Sequence, residues 1–306
     1  MKLSTLATVV FVGSGLFSCV AVADLDASSW VNVTWNGEAA CKSTSGPWQA
    51  VVSIDRARLV YFGAADGQHN LLFASRTRDD PAGWGGHRLW LGPQAEWKGG
   101  WPPAKAWEVS APTTVHQSDS RLELLLGETD DGWPRLTRAY FWTGDHLHCE
   151  ARMNGGSRPA QFIHILQVPP NAVVLAQPSV TNDVPRGYVQ VHLGRHPSPQ
   201  TKFDAPPHVS AADGHLSLRF LNRAEKLGFR AQPLIAQIGT SVLRVDRGSS
   251  QGKTISTPDE GYVTQVYLGS GNSQLIELEQ LSPLYPPGVE ASFEIIVSAS
   301  GLAPAK

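Results

Sequence analysis

Two stretches carry the residue types that move protons or hold hydroxyl groups. In Leu275-Ile276-Glu277-Leu278-Glu279-Gln280-Leu281, the alternation of an extended chain puts Leu275, Glu277 and Glu279 on one face and Ile276, Leu278 and Gln280 on the other. Two carboxylates so placed stand about 7 Å apart along the strand, and partial burial would make each raise the other's proton affinity. A carboxylate that titrates near neutral pH suits general-base work. The competing reading has both glutamates in water on an edge strand or paired with arginines, which is the commoner arrangement when the strand is taken alone.

The second stretch runs from Gly83 through Gly85-Gly86-His87-Arg88-Leu89-Trp90 and Gln94 to Trp101-Pro102-Pro103, and holds four of the ten tryptophans: Trp84, Trp90, Trp97 and Trp101. Neither a strand nor a helix period persists through it, so it reads as a shaped loop. Indoles beside hydrogen-bonding side chains suit a sugar, whose C–H faces are apolar and whose rims are hydroxyls. Trp84, Trp90, Trp97 and Trp101 would be stacking platforms, with Arg88 and Gln94 beside them. The alternative is a tryptophan-rich cap over one end of a β domain.

Further candidates lie elsewhere. His164 sits in the apolar run Phe162-Ile163-His164-Ile165-Leu166-Gln167, where alternation groups it with Phe162 and Leu166. One imidazole there must be satisfied, either as a cleft residue or as a hydrogen-bonded core histidine. Lys226 and Arg88 are cationic donors for sugar hydroxyls or for the carboxylate of an acidic sugar, unless they are ordinary surface charges. His146 and His148 share a strand face beside Asp145 without a third ligand nearby, which is too few for a metal site. No metal or cofactor is expected.

The chain has 306 residues, a net charge of −2, 42% hydrophobic and 17% charged residues. Such a composition supports a large core and gives no basic field for nucleic acid. Residues 1–23 read as an export signal: Lys2, an apolar stretch from Leu6 to Phe17, then Ala21-Val22-Ala23 before Asp24. That implies a periplasmic or secreted protein; a lipoprotein anchored through Cys19 is the alternative. No later segment is long and apolar enough to span a bilayer. After cleavage Cys41 and Cys149 remain, and in an oxidising compartment they could form one disulfide. The sequence carries no indication of oligomeric state.

The mature chain is a procession of short strands, among them Trp30–Trp35, Gln49–Ile54, Ala57–Phe62, Asn70–Ala74, Trp107–Val109, Thr113–His116, Leu122–Leu126, an Arg135–Trp142/His146–Met153 hairpin and Phe162–Val168. Tyr188–Leu193, Leu216–Leu221, Leu234–Ile238, Val242–Val245, Tyr262–Leu268, Gln274–Leu281 and Ala291–Ser298 continue it. No helical period is sustained and no linker-like break divides the chain. A single large antiparallel all-β sandwich over residues 24–306 is expected.

Asn70-Leu71-Leu72, Gly85-Gly86-His87-Arg88-Leu89-Trp90, Lys226-Leu227-Gly228 and Leu275–Leu284 with Pro287-Gly288 occur in an order that resembles a secreted branch of the galactose mutarotase-like superfamily, which includes the aldose 1-epimerases. The resemblance implies a β-supersandwich with a sugar-sized cleft on its concave face. It also implies a carboxylate base on the anomeric hydroxyl, at Glu277 or Glu279, and a histidine acid on the ring oxygen, at His87 or His164. A sugar or oligosaccharide would be the partner. Three functions fit: an epimerase, a carbohydrate-binding protein without catalysis, and a sugar-cleaving enzyme using both carboxylates.

Overall fold

Short apolar runs cut by turn residues fold as antiparallel strands. The computed structural model describes residues 28–74, 85–97, 105–108, 110–129, 131–191, 199–200 and 208–301. Residues 1–23, which the sequence suggests are an export signal and which include Cys19, lie outside them, as do Trp84 and Trp101. In chain order the strands are β1 (Val31–Trp35), β2 (Glu38–Ser45), β3 (Trp48–Ser53), β4 (Arg58–Ala64), β5 (His87–Gly92), β6 (Thr114–Gln117), β7 (Arg121–Leu125), β8 (Arg135–Thr143), β9 (His146–Asn154) and β10 (Gln161–Val168). Then come β11 (Val173–Ala176), β12 (Val189–Val191), β13 (Pro199–Gln200), β14 (Val209–Ala212), β15 (His215–Arg219), β16 (Glu225–Phe229), β17 (Leu234–Ile238), β18 (Ser241–Gln251), β19 (Thr264–Leu268), β20 (Ile276–Leu281) and β21 (Ala291–Ser300). Among the described residues, no helix is long and apolar enough to cross a membrane.

Three sheets result. β1 to β4 form a meander in sequence order; Asn36 and Gly37, at φ 51° and 81°, close its first hairpin, as a two-residue turn between right-twisted strands requires. A ten-stranded sheet runs β14-β15-β11-β17-β18-β21-β9-β8-β7-β6 and a seven-stranded sheet β13-β12-β16-β19-β20-β10-β5. One face of the seven-stranded sheet packs on the ten-stranded one. Phe162, Leu166, Val266 and Leu278 meet an opposing layer that includes Tyr140, Cys149, Phe293 and Ile295, all buried. The other face carries the hollow described below.

Several expectations change. Residues 87–92 are a strand, not a loop, and all six are buried. Burial of both faces removes the polar alternation that would have announced a strand. Gly85 and Gly86, at φ 73° and 79°, begin it; a Cβ on Gly85 would sit 1.9 Å from the Phe73 carbonyl oxygen, and one on Gly86 2.1 Å from that of Leu59. Asn70 makes only a single bridge to Gly63, so 70–74 is not a strand. Trp107 lies on a one-turn helix, α1 (Lys105–Glu108). Cys41 and Cys149 are both free, buried thiols.

Candidate functional site

The hollow is built from the register of five strands. Lys226 on β16 faces Tyr267 on β19, Tyr267 faces Glu277 on β20, and Glu277 faces Gln167 on β10. One residue-pair further on lies a second row: Gly228, Gln265, Glu279, Ile165 and Arg88 on β5. Strands about 4.8 Å apart thus lay polar side chains out at ring-hydroxyl spacing. The resulting hollow of about 260 Å³ is lined by the first row and by Glu279 and Arg88 of the second, with Trp90, Gln94, Ser273 and Leu275. Gly228 lies close under a neighbouring apolar cluster: a Cβ there would stand 3.1 Å from Tyr262, Val189 and Val191.

The charges cross between rows. Lys226 Nζ lies 2.7 Å from Glu279 Oε2, and Arg88 Nη1 lies 3.8 Å from Glu277 Oε1. The two carboxylates are therefore unequal, since Glu279 holds its cation closely and Glu277 only at a distance. Gln167 Nε2 donates to Glu277 Oε1 at 2.6 Å. Burial pushes the Glu277 carboxyl up to about 7; Arg88 opposes that and the Glu279 charge adds to it. Burial, followed by Glu277 and Glu279, also raises the Tyr267 phenol, which stays a hydrogen-bond donor.

Arg88 is not committed to Glu277 alone. Its Nε lies 3.2 Å from Glu108 Oε1, the same distance at which Arg58 Nη2 meets that oxygen. Trp90 Nε1 donates to Glu108 Oε2 at 2.7 Å. Burial favours the neutral form of Glu108, but Arg58 and Arg88 overcome it and hold the carboxyl below its usual range. Glu108, which sequence reasoning missed inside a segment taken for a strand, therefore fixes the two β5 residues that form the wall.

Both histidines lie elsewhere. Alternation places His87 on the opposite face of β5 from Arg88 and Trp90, and the β5–β10 register places His164 on the same inner face. Their rings stack with centroids 5.1 Å apart, and His87 Nε2 is 3.0 Å from His164 Nδ1. His164 Nε2 is 3.3 Å from the Phe293 carbonyl, which can only accept. That fixes a chain of neutral rings: His87 Nε2–H donates to His164 Nδ1, and His164 Nε2–H to Phe293 O. Burial pushes His164 down to about 3 and His87 well below the usual histidine range. The expected histidine acid is thus corrected; both rings are core groups between the sheets.

Of the tryptophans, Trp90 lines the hollow, whereas Trp97 packs edge-on against it at 5.5 Å and donates to the Leu91 carbonyl at 2.8 Å. Trp97 is a buttress and not a platform, because it is buried against Trp90 and does not line the hollow. His146 and His148 pair with Asp145 and Glu294, at 2.9 and 2.6 Å. Gln167, Tyr267 and Ser273 join the site unannounced. Gln167 was readable from β10, since the face opposite His164 carries Gln161, Ile163, Ile165 and Gln167.

No profile of a known protein family matches the sequence, nor does any curated protein sequence. Solved structures do. A galactose mutarotase-like protein from Lactobacillus casei is 11% identical with a TM-score of 0.57, over 89% of this chain and 100% of that one. The galactose 1-epimerase of Lactobacillus acidophilus is 13% identical with a TM-score of 0.53, over 89% and 99%. A structure from Escherichia coli K12, provisionally described as an aldose 1-epimerase, is 12% identical with a TM-score of 0.55, over 85% and 98%. At such identities the likeness is one of fold, and the chain has the galactose mutarotase-like β-sandwich fold.

Proposed function

We propose that the hollow binds the reducing end of a neutral aldose and interconverts its anomers, with Glu277 as general base. The observation that carries this reading is a buried carboxyl, raised to about 7, inside a hollow whose other polar groups are spaced for hydroxyls. Glu277 takes the proton of the anomeric hydroxyl while Lys226 delivers one to the ring oxygen, and the C1–O5 bond opens. Rotation about C1–C2 and the reverse transfers close the other anomer and return both protons. Lys226 takes the place of the histidine because neither ring reaches this face of the sheet.

A neutral sugar is favoured over an acidic one by the pairing of charges. Arg88 and Lys226 each already face a carboxylate, so a uronate would have to displace Glu108, Glu277 or Glu279. Exchange NMR with neutral aldoses and matched uronic acids tests both statements. The expected result is accelerated anomer exchange for at least one neutral aldose and none for its uronic acid; equal rates with and without protein across the panel overturn the reading. Binding without catalysis is the second reading, favoured by the removal of both histidines from the hollow.

The chain is further read as exported, with residues 1–23 removed and one domain from Asp24 onward. Expression of the full chain in a Gram-negative host is expected to yield periplasmic protein whose intact mass begins at Asp24. A full-length cytoplasmic product would refute this.

A further inference from the structure

Among the described residues Lys226 is the one buried lysine, with its side chain 6% exposed. It lines the hollow with Tyr267 and Glu277, and the register of β16, β19 and β20 lays amine, phenol and carboxyl side by side on adjacent strands. Glu279 Oε2, 2.7 Å from Nζ, holds the amine charged, and a charged amine has no electron pair to give.

Ring opening changes that. Once Lys226 has passed its proton to the ring oxygen, Nζ is a neutral amine. Glu277 then holds the proton of the anomeric hydroxyl, and C1, until then bonded to that ring oxygen, is an aldehyde carbon. A neutral amine, an aldehyde and a carboxylic acid are the reactants of imine formation, and a hollow of about 260 Å³ confines all three. Ring closure and attack by Nζ compete for the same carbon.

We propose that Lys226 forms an imine with the open-chain aldose, and that through it the hollow exchanges the hydrogen on C2 and interconverts the aldose with its C2 epimer. This rests on the reading of the hollow as an aldose site. Nζ attacks C1, the N–C1 bond forms and the carbonyl pair moves to O1. O1 takes one proton from the nitrogen and one from Glu277 and leaves as water, while the nitrogen pair closes the C1=N bond. The products are a protonated imine, water and the Glu277 carboxylate. The Tyr267 phenol, between Lys226 and Glu277 in register and kept protonated by burial, donates to O1 as it departs. Glu279 then faces an iminium in place of an ammonium, so its charge stays paired.

C2 is bonded to the carbon whose hydroxyl Glu277 served. The regenerated carboxylate takes the C2 hydrogen as a proton, the C–H pair becomes the C1=C2 bond, and the imine π pair returns to nitrogen. The enamine is flat at C2: a proton returned to one face restores the aldose, and one returned to the other gives its epimer. Water then adds to C1 of the imine and releases Lys226.

Incubation of the full chain with glucose or galactose and cyanoborohydride, which reduces an imine to a stable amine, reads the first step by intact mass and peptide mapping. One reduced hexose on Lys226 is expected, formed about tenfold or more faster than any adduct on the exposed Lys253, because the hollow holds aldehyde and amine together. Proton NMR in heavy water reads the second step as loss of the C2 hydrogen signal and growth of the epimer. Lys226→Arg, which keeps a cation facing Glu279, is expected to abolish both. Glu277→Gln is expected to slow both by about tenfold or more, with its retained sugar affinity showing that variant folded. Accelerated anomer exchange with Lys226 unlabelled, or labelled no faster than Lys253, overturns this inference and leaves the anomer reading intact. Labelling with the C2 hydrogen retained, or deuterium entering C2 in Lys226→Arg, overturns the epimerisation through this lysine. Neither anomer exchange nor labelling with any aldose overturns both readings.

Discussion

Glu277→Gln is expected to lower the rate of anomer exchange by about 10²–10⁴-fold, the usual contribution of a positioned general base, while sugar affinity changes little. The amide keeps the size of the carboxyl and can still accept from Gln167, so what is lost is the capacity to take a proton. The wild-type rate should rise with pH through a limb near 7, as burial holds the Glu277 carboxyl up to that value. Stability moves the other way. Between the usual value of 4.5 and about 7 the folded chain keeps a proton that the unfolded chain has released, so stability falls as pH rises through that window. The whole loss is roughly 3 kcal/mol by the free energy of such a shift, and the Gln variant lacks it. Chemical denaturation of both proteins at pH 4.5 and 8 checks this. An exchange rate unaltered in Glu277→Gln, or a pH dependence of stability identical in the two proteins, would count against Glu277 as the base.

Glu108→Ala should be the most damaging single change to stability, by about 3–5 kcal/mol, because it leaves the buried Arg58 and Arg88 facing each other without the carboxylate between them. For a domain of this size that is a fall in Tm of roughly 10 °C. A second effect separates this role from mere packing. Freed from Glu108, Arg88 would turn its charge more fully on Glu277, so the pH limb of activity should move to lower pH in whatever fraction remains folded. A loss below about 1 kcal/mol, or an unmoved limb, would show that Glu108 does not organise the wall. His164→Gln, by contrast, alters a group on the reverse face of the sheet and bears on the core alone.

Much of this architecture was legible because turns and alternation are local. The hairpin of β8 and β9 around Gly144-Asp145, the acidic strand β20 and the long final strand were all expected where they occur. Strands without that signature were not. β2 and β16 escaped notice, and β5 was taken for a loop because all six of its residues are buried. β10 is likewise buried throughout, so its alternation between polar and apolar faces is weak and its one histidine drew attention to the inner face. The side that mattered carries Gln161 and Gln167, whose amides are common on any strand and carried no signal of their own.

By itself the sequence determined that Glu277 and Glu279 point the same way, because a strand's side-chain period is a property of the backbone; that Arg88 and Trp90 share a face came only with the strand the structure shows there. Only the tertiary structure decided which face of each strand looks into the hollow and which into the core, since that depends on the sheet that packs behind. It alone placed Lys226 against Glu279 and drew Arg88 toward Glu108. Those pairings make two glutamates of equal local sequence chemically different, because a carboxylate's proton affinity is set by the charges and burial around it and not by its neighbours in the chain.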